Sequence, residues 1–143
     1  MKNKEYQINT HDASITYKNK IIMKLNETLL AHKNMDTAHV EQILLEHVNR
    51  LHIEDAMSNI TDPVELRALY AEWVKSQFRL QDLWGFERNP NRHRWWSVPG
   101  CDCPKMDNED RYGSNMFIMS SKCVIHGMYG KAPSYIVIDE VVE

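Results

Sequence analysis

Apolar residues recur at helical spacing through most of the first 85 positions, and the habit changes after Gly85. Residues 1–13 are polar and without period, which predicts an arm ordered only where something ties it down. From about Ser14 to Asn34, Ile21, Ile22, Leu25, Leu29 and Leu30 fall on one stripe at helical spacing. Lys18, Lys20, Lys24 and Glu27 fall mainly elsewhere, so the stretch predicts a first helix. A short break over residues 34–37 follows, where Asp36 or Thr37 can cap a second helix by accepting from free backbone N–H groups. Val40, Ile43, Leu44, His47, Val48 and Leu51 form its apolar stripe, which runs on toward Met57 with a slip of phase near Ile53. The tight break predicts that the first two helices form an antiparallel hairpin.

A third helix carries the fullest set of boundary signals. Asp62 stands at the N-cap, Pro63 at the first helical position and Glu65 where a capping box needs it. Leu66, Leu69, Tyr70, Trp73, Val74 and Leu80 line one side, and Gly85 is a natural stop. Three such helices can bury their stripes against one another. Phe86 to Pro99 then breaks the period with two prolines, two asparagines, three arginines and the pair Trp95-Trp96, and reads as a packed connector. Beyond it, Asn115–Ser120 and the β-branched run Ser134–Val142 predict strands. The expected fold class is α+β: a polar arm (1–13), a helical region (14–85) built as a hairpin or three-helix bundle, and a metal-stapled small β module (86–143). Arm aside, these are expected to pack as one compact unit.

The chemistry is concentrated in that last module. All three cysteines lie between residues 101 and 126, as Cys101-Asp102-Cys103-Pro104 and Cys123-Val124-Ile125-His126-Gly127. Three thiols and an imidazole are the donor set of a tetrahedral Cys3His zinc site, and four protein ligands leave no position open for water. The expected ligands are therefore Cys101, Cys103, Cys123 and His126, and the expected cofactor is a structural Zn2+. Pro104 stiffens the exit of the first turn, and Gly127 lets the chain leave the second with positive φ. The two turns are expected to flank a hairpin containing Asn115–Ser120, with metal replacing a core too small to hold itself. The first turn is Cys-x-Cys, not the commoner Cys-x-x-Cys. Asp107-Asn108-Glu109-Asp110 reads as a solvated acidic loop, not a source of ligands, as does Asp102, and His93 stands as a reserve ligand.

Other signatures fail on spacing. His39-Val40-Glu41 spells the H-x-E of zinc deaminases, but their Pro-Cys-x-x-Cys partner is missing. His39 and Glu41 then read as helix-surface residues and His47 as a satisfied core histidine. No H-E-x-x-H, phosphate-cradling glycine loop, G-x-S-x-G or di-metal E-x-x-H pattern occurs. Arg88, Arg92, Arg94, Trp95 and Trp96 could grip phosphates and stack on bases. Alternatively, the tryptophans pack the metal module onto the helices and the arginines pair with the acidic run 107–110.

Composition adds bounds. An apolar fraction of 43% and a charged fraction of 26% are ordinary for a globular domain, and a net charge of −3 gives no global attraction to nucleic acid or an anionic membrane. No apolar run approaches a bilayer span, the N-terminus lacks an apolar signal region, and clustered thiols favour metal in a reducing compartment such as the cytoplasm.

The run from Trp95 to Asn108 (Trp-Trp-Ser-Val-Pro-Gly-Cys-Asp-Cys-Pro-Lys-Met-Asp-Asn), with Cys123-Val-Ile-His126-Gly127, resembles small uncharacterised proteins encoded by tailed bacteriophages. The resemblance covers the C-terminal third. It implies a viral origin and zinc ligands at the four residues named, and no activity. The expected function is a non-enzymatic, zinc-stabilised binding or assembly protein, a virion component or a binder of a host factor, acting in the host cell's cytoplasm or within the virion. The apolar terminal strand could add to a partner's sheet. The alternative is a nucleic-acid-binding module using the Arg/Trp segment 88–96, and a third is a hydrolase with an incompletely coordinated metal.

Overall fold

In a computed structural model of the chain, the structure describes residues 4–88, 94–110, 117–120, 122–126 and 137–140, with the backbone alone at Phe117 and 137–140. The elements in order are β1 (Gln7–Asn9), β2 (Ser14–Tyr17), β3 (Lys20–Lys24), α1 (Glu27–His32), α2 (Thr37–Ser58) and α3 (Pro63–Trp84). A 3-10 turn (Trp95–Ser97), α4 (Lys105–Asp110), β4 (Phe117–Ser120) and β5 (Val137–Glu140) follow. The fold class is α+β, as the pattern predicts. No described helix is long and apolar enough to cross a membrane.

The chain divides into two compact units, residues 1–52 with Ser76–Glu87 and Ile53–Lys75 with Arg88–Glu143, so α2 and α3 each contribute residues to both. In unit 1, β1, β2 and β3 form an antiparallel sheet in that order. This corrects the helix expected over 14–34 and its hairpin with the next helix. Lys18 and Asn19 both take positive φ, 51° and 64°, which makes them the two central residues of a tight hairpin turn. Asparagine tolerates that conformation, and the flanking β-branched residues favour strands. Ile15 is fully buried, whereas Ile21 and Ile22 are 59% and 46% exposed, so these two belong to no core stripe. Ile15 lies opposite Met23 and Thr16 opposite Ile21, which leaves Ile22 as the extra residue of a β-bulge. The arm expected over 1–13 is tied down in part: β1 pairs with β2 from Gln7↔Thr16 to Asn9↔Ser14.

The longer helices follow their sequence signals. Asp36 caps α2 through a bond from the His39 N–H at 2.8 Å, and Asp62 caps α3 through the Glu65 N–H at 3.0 Å. α3 ends in a Schellman motif: Phe86 N–H donates to the Gln81 carbonyl at 2.8 Å and Gly85 N–H to Asp82 at 3.0 Å, with Gly85 at φ 75°. The antiparallel helix pair is α2 with α3. Within unit 1, Glu46 of α2 accepts from Ser76 and Arg79 of α3, each at 2.7 Å. Within unit 2, Glu54 accepts from the Trp73 indole at 3.0 Å. Unit 1 packs Ile15, Leu25, Val40, Ile43, Leu44 and Leu80 into its core.

Unit 2 corrects two further expectations. Between the two cysteine turns the described residues form α4 and β4, not a hairpin, and β4 pairs in parallel with β5 from Phe117↔Val137 to Ser120↔Glu140. A parallel partner cannot be reached by a tight turn, and the chain between β4 and β5 is long enough for the crossover that it requires. The acidic run 107–110 is helical, and within it Asn108 is fully buried. Its amide donates to the Ile118 carbonyl at 2.8 Å and accepts from the Ile118 N–H at 2.7 Å. One side chain thus satisfies both backbone groups that Ile118 would otherwise leave unpaired beside the strand.

Two predictions follow from this packing. Replacing Asn108 by leucine leaves two buried backbone groups without partners, and should destabilise the protein by about 2–4 kcal/mol in urea titrations. A neutral variant would sink this account of Asn108. The second concerns His47, whose Nδ1 is buried with no hydrogen-bond partner among the described residues. Burial holds its pKa at about 4, with Arg50 pushing the same way and Glu46 opposing, against 6.5 for an ordinary histidine. The unfolded chain takes up that proton first. Stability is therefore full above pH 6.5 and falls as pH drops toward 4. The loss should reach about 3 kcal/mol at most, and a His47→Leu variant should show a correspondingly smaller slope of stability against pH.

Candidate metal centre

Two turns deliver the four candidate ligands. Val98-Pro99-Gly100-Cys101 is a type II turn closed by the Cys101 N–H on the Val98 carbonyl at 3.1 Å, with Pro99 at its second position and Gly100 at φ 87°. The positive φ is what requires glycine here, since a Cβ on Gly100 would meet the Leu66 methyls only at 3.4 Å, close to ordinary contact. Pro104 follows Cys103, and α4 begins at the next residue. The second turn leaves the end of β4, where Cys123 N–H bonds the Ser120 carbonyl at 3.1 Å and Lys122 N–H meets the Ser120 hydroxyl at 3.3 Å.

The structure brings Cys101, Cys103, Cys123 and His126 together, with one donor atom of each lying within 4.8 Å of all the others. They are 5%, 2%, 0% and 0% exposed, and the three cysteines are free thiols. His126 Nδ1 lies 3.3 Å from Cys101 Sγ, 3.7 Å from Cys103 Sγ and 3.6 Å from Cys123 Sγ. A single ring nitrogen has one lone pair or one proton, so it cannot form three hydrogen bonds at once. Three sulfurs converging on it describe the corners of a site with a common centre. Backbone N–H groups support the sulfurs: Asp102 and His126 point at Cys123 Sγ at 3.4 and 3.5 Å, and Cys103 points at Cys101 Sγ at 3.4 Å. Such donors favour the thiolate form that a metal needs.

An apolar shell fixes the ligands. The His126 ring is met edge-on by Tyr70 and Trp95, with centroids 4.5 and 4.6 Å away. Met57, Leu66, Trp73, Trp96, Val98 and Ile125 complete the core around them. The pKa directions show what this burial does without a cation. Cys123 is held far below the usual thiol range by the thiols of Cys101 and Cys103. Cys101 is driven far above it by its contacts with the thiols of Cys103 and Cys123 and by burial. At Cys103 the Cys101 contact lowers the pKa, but the Cys123 contact and burial prevail, and the thiol is pushed up to about 12. Burial lowers His126. Three thiols crowded together in one buried pocket resist ionising together, and a cation at its centre would remove that penalty.

Two cations lie close by. Lys105 Nζ donates to the Cys101 carbonyl at 2.9 Å, and Arg67 to the Val124 carbonyl at 3.3 Å. Three thiolates around a divalent ion carry one net negative charge, which these side chains oppose. Sequence reasoning missed both, and it missed Asn108. A helix signal was available at α4, where a proline precedes the first residue and Asp107 sits in the first turn.

The residues of the nucleic-acid alternative are placed as follows. Trp95 and Trp96 are fully buried, so they cannot stack on bases in this conformation. Arg94 pairs with Glu109 at 2.9 Å, within the acidic run, and Arg88 is exposed. Arg92 and the reserve ligand His93 lie outside the described residues, as does Gly127. Asp102, Asp107 and Asp110 are exposed and contribute nothing to the cluster. His39 is half-buried, and its imidazole Nε2 contacts the Leu83 carbonyl near the end of α3. No family model, curated protein or solved structure matches the chain.

Removing a ligand should abolish metal binding, as read by metal content after dialysis of Cys123→Ser or His126→Ala. Lys105→Met, which touches no donor atom, should weaken binding roughly ten-fold in chelator competition. Unchanged affinity would show that Lys105 does not compensate the centre's charge.

Proposed function

We propose that this protein is a non-enzymatic binding or assembly protein whose second unit is held by a structural Zn2+ on Cys101, Cys103, Cys123 and His126. The observation that carries the metal reading is the set of distances between donor atoms. Zn–S bonds of about 2.3 Å and Zn–N bonds of about 2.0–2.1 Å at tetrahedral angles imply S···S edges of about 3.8 Å and S···N edges of about 3.6 Å. The S···S contact of Cys101 with Cys123 is 3.8 Å, and the three S···N contacts run from 3.3 to 3.7 Å. The donor chemistry agrees, since thiolate with imidazole is a zinc set, not one for the hard cations.

A structural role is favoured because the four donors fill a tetrahedron, and their near-complete burial keeps water and substrate away. When bound, the ion would supply cross-linking of the two ligand turns. Cys101 and Cys103 would hold it from the chain before α4, and Cys123 and His126 from the chain after β4. The viral origin that the resemblance in the C-terminal third implies would make the partner a virion or host protein.

Native mass spectrometry of protein purified without chelator should give one zinc per chain. Stripping it with a strong chelator should expose Trp95 and Trp96, seen as a red shift of tryptophan fluorescence, and zinc should reverse the change. A metal-free protein with buried tryptophans would overturn the proposal.

A further inference from the structure

The hairpin formed by β2 and β3 has a face and an edge that the fold of unit 1 leaves uncovered. Its inner row is used: Ile8, Ile15 and Met23 pack into the unit 1 core. On β3 the bulge at Ile22 breaks the alternation that would send Ile21 and Ile22 to opposite faces. Both therefore lie outward, 59% and 46% exposed. β3 is also an edge strand, with β2 on one side and no described strand on the other. Lys18, Lys20 and Lys24 punctuate this segment, which contains no acidic residue in a chain whose net charge is −3.

Lysines and a bulge are common devices for blunting an edge. A blunted edge alone, however, gives no reason to display two adjacent isoleucines. The charges select between partners. In antiparallel self-pairing of β3, the register that sets Ile22 opposite its own copy sets Lys20 opposite Lys24. Like charges directly opposite destabilise a strand pair. Lys24 already shows the preferred counterpart, a carboxylate, in its 2.8 Å pair with Glu27.

We propose that the outer edge of β3 is a docking strand for an extended segment of a partner protein, one whose apolar residues cover Ile21 and Ile22 and whose flanking acidic residues meet Lys18, Lys20 and Lys24. Main-chain bonds would supply affinity and the lysines specificity. The inference rests on reading the chain as a binding protein, but uses no residue of the metal centre.

The test is selection of a randomised nonapeptide display library on the zinc-loaded full chain, followed by hydrogen-exchange mapping of the enriched peptides. Enriched sequences should alternate β-branched and other residues between Asp or Glu flanks, and should protect the amides of residues 20–24. Lys20→Glu with Lys24→Glu should weaken their binding at least ten-fold and favour lysine-flanked peptides instead. Ile21→Thr with Ile22→Thr should weaken it similarly, while zinc content and circular dichroism stay unchanged. Peptides without acidic flanks, or protection elsewhere, would overturn the proposal. So would a dimer in sedimentation that the isoleucine variant dissolves, or binding to phosphatidylserine vesicles that the same variant abolishes while no peptide is enriched. A failure of this kind with one zinc still bound leaves the metal reading standing, and a metal-free chain that still selects acidic peptides leaves the docking strand standing.

Discussion

Taking three thiols and an imidazole out of water is unfavourable unless they share a cation or find hydrogen bonds enough to replace the solvent. The apolar wall of Tyr70, Trp95, Leu66 and Ile125 offers them none of the latter. Backbone N–H groups point at the sulfurs of Cys101 and Cys123, and that of Ser120 favours the Cys103 thiolate, so the remaining demand falls on whatever occupies the middle of the cluster. This constraint explains why the surrounding core is so aromatic. Large rigid rings exclude water from the ligands and fix the imidazole plane with little entropy to lose. It also explains why two cations approach the ligand turns through carbonyl groups, from which they act on the charge without competing for a donor position.

Unit 1 is held differently. Its sheet and the helix ends against it rely on apolar packing, and Glu46 adds a polar anchor by accepting bonds from Ser76, Arg79 and Asn49. A carboxylate satisfied from three sides fixes the register of α2 against α3 within that unit, where a leucine would only fix their spacing. The two units thus draw on different physics, and loss of a cation should be felt mainly in one of them.

What was legible in the sequence was local. Asp36, Asp62, Pro63 and Gly85 act on backbone groups within a few residues, so the ends of α2 and α3 could be read directly. The ligand set was legible because thiols are few and their clustering carries chemical meaning. The N-terminal hairpin is hidden in the sequence because Ile21, Ile22, Leu25 and Leu29 satisfy a helical period by chance. The residues that decide the matter, Lys18 and Asn19, announce a turn only through backbone angles that lysine seldom adopts. Asn108 was beyond reach, since its value depends on Ile118, a residue brought to it by tertiary structure. Trp95 and Trp96 were readable as either packing or stacking groups until their burial was known.

The reciprocal pairing of Asn108 with Ile118 links the two halves of the cluster mechanically. Cys103 leads through Pro104 into α4, α4 carries Asn108, Asn108 grips β4, and β4 ends at the turn that bears Cys123 and His126. The first ligand pair cannot swing away from the second without breaking that grip. Ligands tethered in this way would have to release a bound ion in concert, not one arm at a time. The kinetic counterpart is an off-rate far slower than affinity alone would suggest, with exchange against free ions in solution limited by the opening of the protein.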